Sequence, residues 1–392
     1  MGPISKIKIR NWLVGMVLIL CPLMSLRAQD NTKPDTMSLF VSGTNGYKSY
    51  RIPAIITTTK GTILAFCEGR KNSAADAGDI DMLLKRSVDG GQTWSAQQVI
   101  WDDSTNTCGN PCPVVDESTG TIWLLMTHNL GEDKEGDIVK RTARSTRTVW
   151  VCKSSDDGLT WTKPEEITAT TKKPNWGWYA TGPGIGIQIK YGPHKGRMVI
   201  PCDYNSEDTS AAPGQRIVMG SHVIYSDDHG TTWKLGGTIA PKVNECQVVE
   251  LADGNGTLLM NMRSYFQKNC RTHAISYDGG ITWTAPYDVP ALVEPICQAS
   301  IIRYTWPGKK QKSCILFLNP ASTGKRHNMT IRASYDEGQT WPVIRTLYAG
   351  PSAYSCMTIL PKGIIGCLYE AGAKSSYETI LFQKINVLEI TK

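Results

Sequence analysis

The chain has 392 residues and a formal net charge of +7, with 41% hydrophobic and 20% charged residues. Four of the basic residues and no acidic residue fall within residues 1–28, so the rest of the chain carries only about +3. This weak excess, without a lysine-rich block, argues against nucleic acid or an anionic membrane surface as a partner.

The first 28 residues have the pattern of a cleaved signal peptide. Three basic residues precede an apolar run over residues 12–24, and the small residue Ala28 comes just before a polar pair. The apolar run is too short to be a permanent membrane span. We therefore expect cleavage near Ala28 and export to the periplasm or the medium, with one folded domain over residues 37–392.

Cysteine and histidine usage gives no sign of a metal site. The chain has 12 cysteines and 6 histidines, and they are scattered without the spacing typical of zinc ligands. Cys21 lies in the predicted signal peptide, which leaves an odd number, so at least one thiol must be free. Most cysteines stand in strand-like apolar runs and are predicted to be small buried hydrophobes. We expect no metal and no cofactor.

Five copies of the octet Ser-x-Asp-x-Gly-x-Thr-Trp divide the chain. Successive octet tryptophans are 67, 72, 50 and 58 residues apart, which is the length of one propeller blade. The octets are Ser87–Trp94, Ser154–Trp161, Ser226–Trp233, Ser276–Trp283 and Ser334–Trp341.

The octet has the residue types of a hairpin turn between strands. Its Asp and Thr can cap the turn, its Gly permits a positive φ, and its Trp can pack between repeats. Strand-like runs flank the octets, for example over residues 80–84, 121–125, 148–152 and 198–200. The pattern predicts an all-β fold, a six-bladed β-propeller of four-stranded blades, with seven smaller blades as the alternative.

The octets resemble the Asp-boxes of sialidases, and residues outside them extend this resemblance. Arg51, in a Tyr-Arg-Ile-Pro stretch, is similar to the first arginine of the exo-α-sialidases of bacterial and animal type. Arg263 and Arg326 match the second and third. Sialic acid carries a carboxylate on its anomeric carbon, and guanidinium groups bind carboxylates through paired, charge-assisted hydrogen bonds.

The resemblance also implies the nucleophile. An attacking carboxylate would meet the negative charge of the substrate, and sialidases use a tyrosine instead. Tyr354, in an Ala-Tyr-Ser segment, matches that tyrosine, and Glu245 matches its partner base. Without the resemblance, the two would be an ordinary strand tyrosine and a turn carboxylate.

The acid/base is expected on the loop after the opening strands, where Asp76, Asp79 and Asp81 compete. The spacing from the loop arginine Arg70 in the family selects Asp76, with Asp79 as the alternative. Arg70 would contact a ring hydroxyl of the sugar.

Two further positions are implied by the resemblance, and one cluster is left open. Glu370 matches the carboxylate that orients Arg51, and Asn110 is expected to line the pocket. An aromatic group could form a rim beside the aglycone or belong to the core. Its members are Trp176, Trp178 and Tyr179.

The resemblance therefore implies an exo-α-sialidase that removes terminal sialic acid from sialylated glycans with retention, through a tyrosyl-sialoside. Alternatives are transfer of the sugar to another sugar or to its own hydroxyl, and a sugar-binding propeller without turnover. We expect the protein to be a monomer.

Overall fold

The computed structural model describes residues 1–2, 35–208, 210 and 216–387. The apolar segment over residues 12–24 and the predicted cleavage point near Ala28 lie outside the described residues. The described residues from 35 onward belong to one compact unit, Pro34–Lys392, which is built almost wholly from β-strands.

The strands form four sheets. The N-terminal strand β1 (Asp35–Val41) belongs to the last of them. The first sheet contains β2 (Ser49–Thr57), β3 (Ile63–Arg70), β4 (Ile80–Ser87), β5 (Gln98–Trp101), β6 (Thr107–Val115), β7 (Ile122–Asn129), β8 (Thr148–Ser154) and β9 (Glu165–Glu166). It consists of two antiparallel groups, β2–β5 and β6–β9, joined by one parallel bridge between Ile80 and Thr107.

The second and third sheets follow along the chain. The second contains β10 (Trp176–Thr181), β11 (Ile187–Gln188), β12 (Met198–Glu207), β13 (Ile217–Ser226) and β14 (Lys234–Ile239). The third contains β15 (Val243–Glu250), β16 (Leu258–Ser264), β17 (Cys270–Ser276) and β18 (Tyr287–Val293).

The fourth sheet joins the two ends of the described chain. It contains β19 (Ser300–Thr305), β20 (Cys314–Pro320), β21 (His327–Ser334), β22 (Val343–Ile359), β23 (Ile364–Ala371) and β24 (Thr379–Asn386), with β1 at its edge. The long strand β22 pairs with β21 through its first part and with β23 through its second part. β1 pairs antiparallel with β24, so the N-terminal strand completes the last antiparallel group.

Each antiparallel group begins with one strand, here called its leading strand; these are β2, β6, β10, β15, β19 and β22. Neighbouring groups contact one another in a ring. β2 contacts β6 and β22, β6 contacts β10, β12 in the group of β10 contacts β15, and β19 contacts both β15 and β22. Because each contact leads to the next group, the sheets close around a common centre, and the side chains at one end of these leading strands converge.

The helical content is small. The structure describes two short helices, α1 (Glu135–Val139) and α2 (Thr168–Thr171), and a 3₁₀ turn at Pro361–Gly363. Neither described helix has the length and apolar character needed to cross a bilayer. All eleven cysteines in the described part of the chain are buried and unpaired, which confirms their prediction as small buried hydrophobes.

The five octets form the predicted hairpin turns, each beginning at the last residue of β4, β8, β13, β17 or β21. In every octet the Ser hydroxyl donates to the Asp carboxylate at 2.8 Å. The Thr hydroxyl donates to the other oxygen of that carboxylate at 2.5–2.6 Å. The carboxylate also accepts the Thr backbone N–H.

The octet tryptophans pack against neighbouring groups of strands. The ring of Trp94 meets Phe382 of β24 edge-on, with 5.1 Å between centroids, and Trp161 meets Phe66 of β3 at 5.8 Å. Gly91 has φ +83, and a Cβ there would lie 2.4 Å from Phe382, so glycine is required. The prediction that these tryptophans pack between repeats is confirmed.

We expect Asp278→Ala to lower the Tm and leave turnover within a few-fold of wild type. Asp278 accepts hydrogen bonds from Ser276 and from the backbone and hydroxyl of Thr282, and losing such a cap costs about 1 kcal/mol, or roughly 1–2 °C in a unit of this size. Differential scanning calorimetry measures the Tm. A variant of unchanged Tm with lost activity would contradict a purely structural role.

The same variant has a predicted pH dependence. Burial alone would raise the pKa of Asp278, but the hydrogen bonds from Thr282 and Ser276 lower it below the ordinary value. The ionised carboxylate therefore stabilises the fold above its unfolded-state pKa of about 3.9, and this stabilisation is lost as the pH falls through the folded-state pKa. The difference in Tm between wild type and Asp278→Ala should shrink below about pH 4.

Candidate active site

A cavity of about 260 Å³ lies where the leading strands converge, and residues from all four sheets line it. The structure brings the predicted site residues together at this cavity, except Glu370, which lies directly behind Arg51. The predicted residues that line it are Arg51, Arg70, Asp76, Asn110, Glu245, Arg263, Arg326 and Tyr354.

Irregularities in strand pairing aim these side chains into the cavity. Five leading strands show a shift of register at the same end, between Arg51 and Ala54, Gly109 and Cys112, Trp176 and Tyr179, Val243 and Cys246, and Ser352 and Ser355. A bulge bends its strand and redirects the residues within it. The bulged segments contain Asn110, Trp178, Glu245 and Tyr354, all of which face the cavity.

Tyr354 and Glu245 form a short hydrogen-bonded pair. The Tyr354 hydroxyl donates to Glu245 Oε1 at 2.5 Å, and Arg263 Nη1 donates to Glu245 Oε2 at 2.6 Å. Burial, followed by the adjacent Glu245, raises the pKa of Tyr354 well above its usual value. The resting phenol is therefore protonated and has a base in place to take its proton.

Three guanidinium groups surround the ring of Tyr354. The guanidinium carbons of Arg51 and Arg326 lie 5.1 Å and 5.6 Å from the centroid of this ring. Arg263 Nη1 lies 3.3 Å from the Tyr354 hydroxyl. This arrangement concentrates positive charge beside the phenol and can hold an anion there.

Glu370 holds Arg51 and the backbone of the site. It is fully buried, accepts a 2.8 Å hydrogen bond from Arg51 Nε, and also accepts the backbone N–H groups of Ile52 and Tyr354. One carboxylate thus links β2, β22 and β23. Because Nε of Arg51 is bound to Glu370, the other edge of the guanidinium remains directed at the cavity.

The structure separates the competing aspartates. Asp76 lines the cavity, its side chain is 54% exposed, and Arg70 Nη2 lies 2.8 Å from its Oδ1. Asp79 instead pairs with Lys71 at 2.9 Å and does not line the cavity. Desolvation inside the cavity alone would raise the pKa of Asp76, but Arg70 and Arg51 hold it below its ordinary value.

Glu68 connects the loop arginine to Asn110 and was missed in the sequence. It accepts two hydrogen bonds from Arg70, at 2.9 and 2.6 Å, and the Asn110 backbone N–H at 2.8 Å. Asn110 lies in the left-handed region with φ 52, which asparagine tolerates better than most residues. Nothing in the residue pattern marks Glu68 as more than a strand residue.

The groups β6–β9 and β10–β14 contribute a polar wall of the cavity that was not predicted from the sequence. Asp203 is buried, accepts a 2.7 Å hydrogen bond from Asn244, and has one oxygen without a described partner. Burial, and then Glu245, raises the pKa of Asp203 well above its ordinary value. Burial, and then Asp76, likewise raises the pKa of Glu135. Other wall residues are Arg147, Trp178 and Asn205.

The aromatic cluster left open by the sequence is divided by the structure. Trp178 lines the cavity, whereas Trp176 and Tyr179 pack in a buried core cluster with Tyr204. Within the described ranges, no three potential metal-binding side chains are grouped to hold an ion.

The chain is similar to several known proteins. The BNR repeat-like domain family matches residues 61–367. An exo-alpha-sialidase of Aspergillus fumigatus is 31% identical over 92% of this chain and 88% of its own length. The chain belongs to the sialidase family. A sialidase of Micromonospora viridifaciens is 35% identical over 86% of this chain but 52% of its own length.

A solved structure supports the same membership of the sialidase family. Hadza microbial sialidase Hz136 is 31% identical and has a TM-score of 0.78, over 91% of this chain and 69% of that one. The structural neighbours are β-propellers, so the all-β fold is of the propeller type. The chain spans about half the length of the Micromonospora relative.

Proposed function

We propose that this protein is an exo-α-sialidase that hydrolyses terminal sialic acid from glycans with retention of configuration. The observation that carries the proposal is the convergence of Arg51, Arg263 and Arg326 on a tyrosine whose hydroxyl already donates to a carboxylate. A cluster of guanidiniums suits the substrate carboxylate, and a neutral nucleophile avoids repelling it.

In the first step, the three arginines hold the substrate carboxylate and place the anomeric carbon C2 over Tyr354. The phenol passes its proton to Glu245, and the oxygen of Tyr354 forms a bond to C2. The bond from C2 to the aglycone oxygen breaks, and Asp76 gives its proton to that oxygen. The product of this step is a tyrosyl-sialoside and a free alcohol.

In the second step, water attacks C2 and gives a proton to Asp76. The bond from C2 to Tyr354 breaks, and the phenolate takes back the proton held by Glu245. Two displacements at C2 retain the configuration. Both Asp76 and Glu245 are then restored for the next turnover.

We infer that the propeller has six blades. Its supporting observations are the six antiparallel groups, namely β2–β5, β6–β9, β10–β14, β15–β18, β19–β22 and the group of β22–β24 with β1. The contacts between leading strands return from the last group to the first. In this arrangement every group contributes at least one residue to the cavity or directly behind it.

Proton NMR of a reaction with sialyllactose tests the function. We expect the α-anomer of free sialic acid to appear first and to convert slowly to the β-anomer, because retention leaves the α-configuration. An anhydro sugar would assign the intramolecular reaction, and a new sialoside formed with added N-acetyllactosamine would assign transfer. Initial release of the β-anomer would contradict retention, and no release from any sialoside would contradict the proposed function.

A further inference from the structure

Arg271 and Glu294 form a buried ion pair behind the cavity. Both residues are 0% exposed, and Arg271 Nη1 donates to Glu294 Oε2 at 2.6 Å. Arg271 lies on β17, Glu294 directly follows β18, and neither residue lines the cavity. A buried ion pair is weak evidence for stability, because the desolvation of two charges offsets their attraction. The contacts that this pair makes with the rest of the site indicate another role.

The pair holds the strand that carries Arg263, the second arginine of the cluster. Glu294 Oε1 accepts the backbone N–H of Ser264 at 2.7 Å, and Ser264 is the residue directly after Arg263. Arg271 Nε donates to Asn261 Oδ1 at 2.7 Å. Because Asn261 and Ser264 lie on either side of Arg263 in β16, the ion pair fixes the strand before and after this arginine.

The same pair holds the loop that contacts Arg326, the third arginine. Arg271 Nη1 donates to the carbonyl oxygen of Cys297 at 2.7 Å. The preceding carbonyl oxygen, that of Ile296, accepts a 3.3 Å hydrogen bond from Arg326 Nη2. In the described part of the chain, Arg326 has one further hydrogen-bond partner, the Tyr377 hydroxyl at 3.1 Å. The position of Arg326 therefore depends on the position of this loop.

The backbone of Ile296 is itself strained. Its φ is 53, in the left-handed region that β-branched residues rarely adopt. Such a conformation persists only where the surrounding structure holds it. The bond from Arg271 to Cys297 fixes the residue after Ile296, and a 3.0 Å bond from the Glu294 backbone N–H to Asn269 fixes the start of the loop. A strained loop held this firmly beside a cavity indicates that its shape serves the site.

We propose that this buried ion pair positions Arg263 and Arg326, so that their guanidinium groups meet the substrate carboxylate together. Arg271 and Glu294 are positioning residues, because neither lines the cavity and both act through β16 and the loop over residues 294–297. A displacement of about 1 Å caused from outside the reacting centre can cost about 10²-fold in rate. The inference rests on the proposed function, because the arginine cluster must hold a substrate carboxylate.

The test compares a ligand that has the carboxylate with a ligand in which this group is neutral. The two ligands are the 2,3-dehydro analogue of N-acetyl sialic acid and its C1 carboxamide. The variant Arg271→Met/Glu294→Gln removes both charges together, so no unpaired charge is left buried. Calorimetry measures Kd for each ligand. We expect Kd for the acid to rise about 10- to 100-fold, as for loss of one hydrogen bond to a charged group, and Kd for the carboxamide to rise less than about 3-fold.

Arg303→Met/Glu337→Gln is the matched control. Arg303 Nη2 donates to Glu337 Oε2, so the same two exchanges break a second Arg–Glu pair. Neither residue lines the active-site cavity. Because this pair does not contact β16 or the loop over residues 294–297, both Kd values should stay within about 3-fold of wild type.

The ratio of the two Kd values separates positioning from stability, because a smaller folded fraction weakens the apparent binding of both ligands equally. A ratio in Arg271→Met/Glu294→Gln equal to that of wild type would overturn the inference, whether both Kd values rise or neither does. The same selective loss of the acid in the control would also overturn it. If wild type binds the acid no better than the carboxamide, the proposed function fails, and the inference fails with it.

Discussion

Replacing Tyr354 with phenylalanine should lower kcat/KM by about 10³-fold or more for every sialoside, because the covalent route is lost. The arginine cluster remains, so the sugar still binds. Water must then attack C2 directly, and the remaining activity need not retain configuration. Glu245 keeps its 2.6 Å contact with Arg263, so the Tm should change little. Steady-state kinetics and calorimetry measure the two effects.

Tyr377→Phe is the matched control for this exchange. Tyr377 lines the same cavity, its hydroxyl accepts a 3.1 Å hydrogen bond from Arg326, and its ring lies 4.2 Å from the Arg51 guanidinium. A phenolic hydroxyl is again removed, but from a residue with no covalent role, so kcat/KM should fall by no more than about 100-fold, the size of one hydrogen bond to a charged group.

A covalent adduct gives an independent reading of the nucleophile. A fluorinated sialosyl fluoride, which slows both steps, should label wild type with one sialosyl group on the peptide that contains Tyr354. Tyr354→Phe should remain unlabelled in the same mass spectrum. Labelling of a different residue, or equal kinetics for the two tyrosine variants, would remove Tyr354 from the nucleophile role.

The Asp-box turns were predictable because their chemistry is local. Within eight residues, Asp278 finds its donors in Ser276 and Thr282, so the pattern alone specifies the hairpin. The same pattern predicted that Trp94 packs between repeats. It could not predict that the partner is Phe382, because that residue lies at the far end of the chain. The resemblance named the arginines, Tyr354 and Glu245, but no residue pattern could place them together.

The polar wall could not be predicted because it depends on contacts between distant segments. Glu68 matters through its bonds to Arg70 and to the backbone N–H of Asn110, which is 42 residues away in the chain. Burial raises the pKa of Asp203, and the sequence around this strand aspartate does not indicate that it is buried. The bulges that turn these residues inward are likewise invisible in an alternating strand pattern.

The expected effect of Asp76→Ala depends on the leaving group. The leaving group of sialyllactose is lactose, an alcohol of high pKa that needs the proton, so kcat/KM should fall by about 10²- to 10⁴-fold. The leaving group of an aryl sialoside is a stable phenolate that needs little acid catalysis, so kcat/KM for this substrate should fall by no more than about 10-fold. The ratio of the two losses measures general acid catalysis directly.

The pH dependence of wild type follows from the surroundings of Asp76. Arg70 and Arg51 outweigh burial and hold its pKa below the ordinary value. A general acid must be protonated, so kcat/KM for sialyllactose should fall as the pH rises above that pKa. A bound substrate carboxylate partly neutralises Arg51, which raises the pKa of Asp76 in the complex. The decline of kcat with rising pH should therefore occur at a higher pH than the decline of kcat/KM.

Asp79→Ala separates this role from a general effect of loop charge. Asp79 lies three residues farther along the same loop, but its carboxylate pairs with Lys71 and does not line the cavity. Removal of this carboxylate should lower kcat/KM for both substrates by similar small factors. The decline of kcat/KM with rising pH should stay at the same pH, because the proton donor to the aglycone is unchanged. Equal losses on both substrates for Asp76→Ala, together with a leaving-group-dependent loss for Asp79→Ala, would transfer the acid role to Asp79. Tyr354, Glu245 and the arginines would keep theirs, since none of their contacts depends on which aspartate carries the proton.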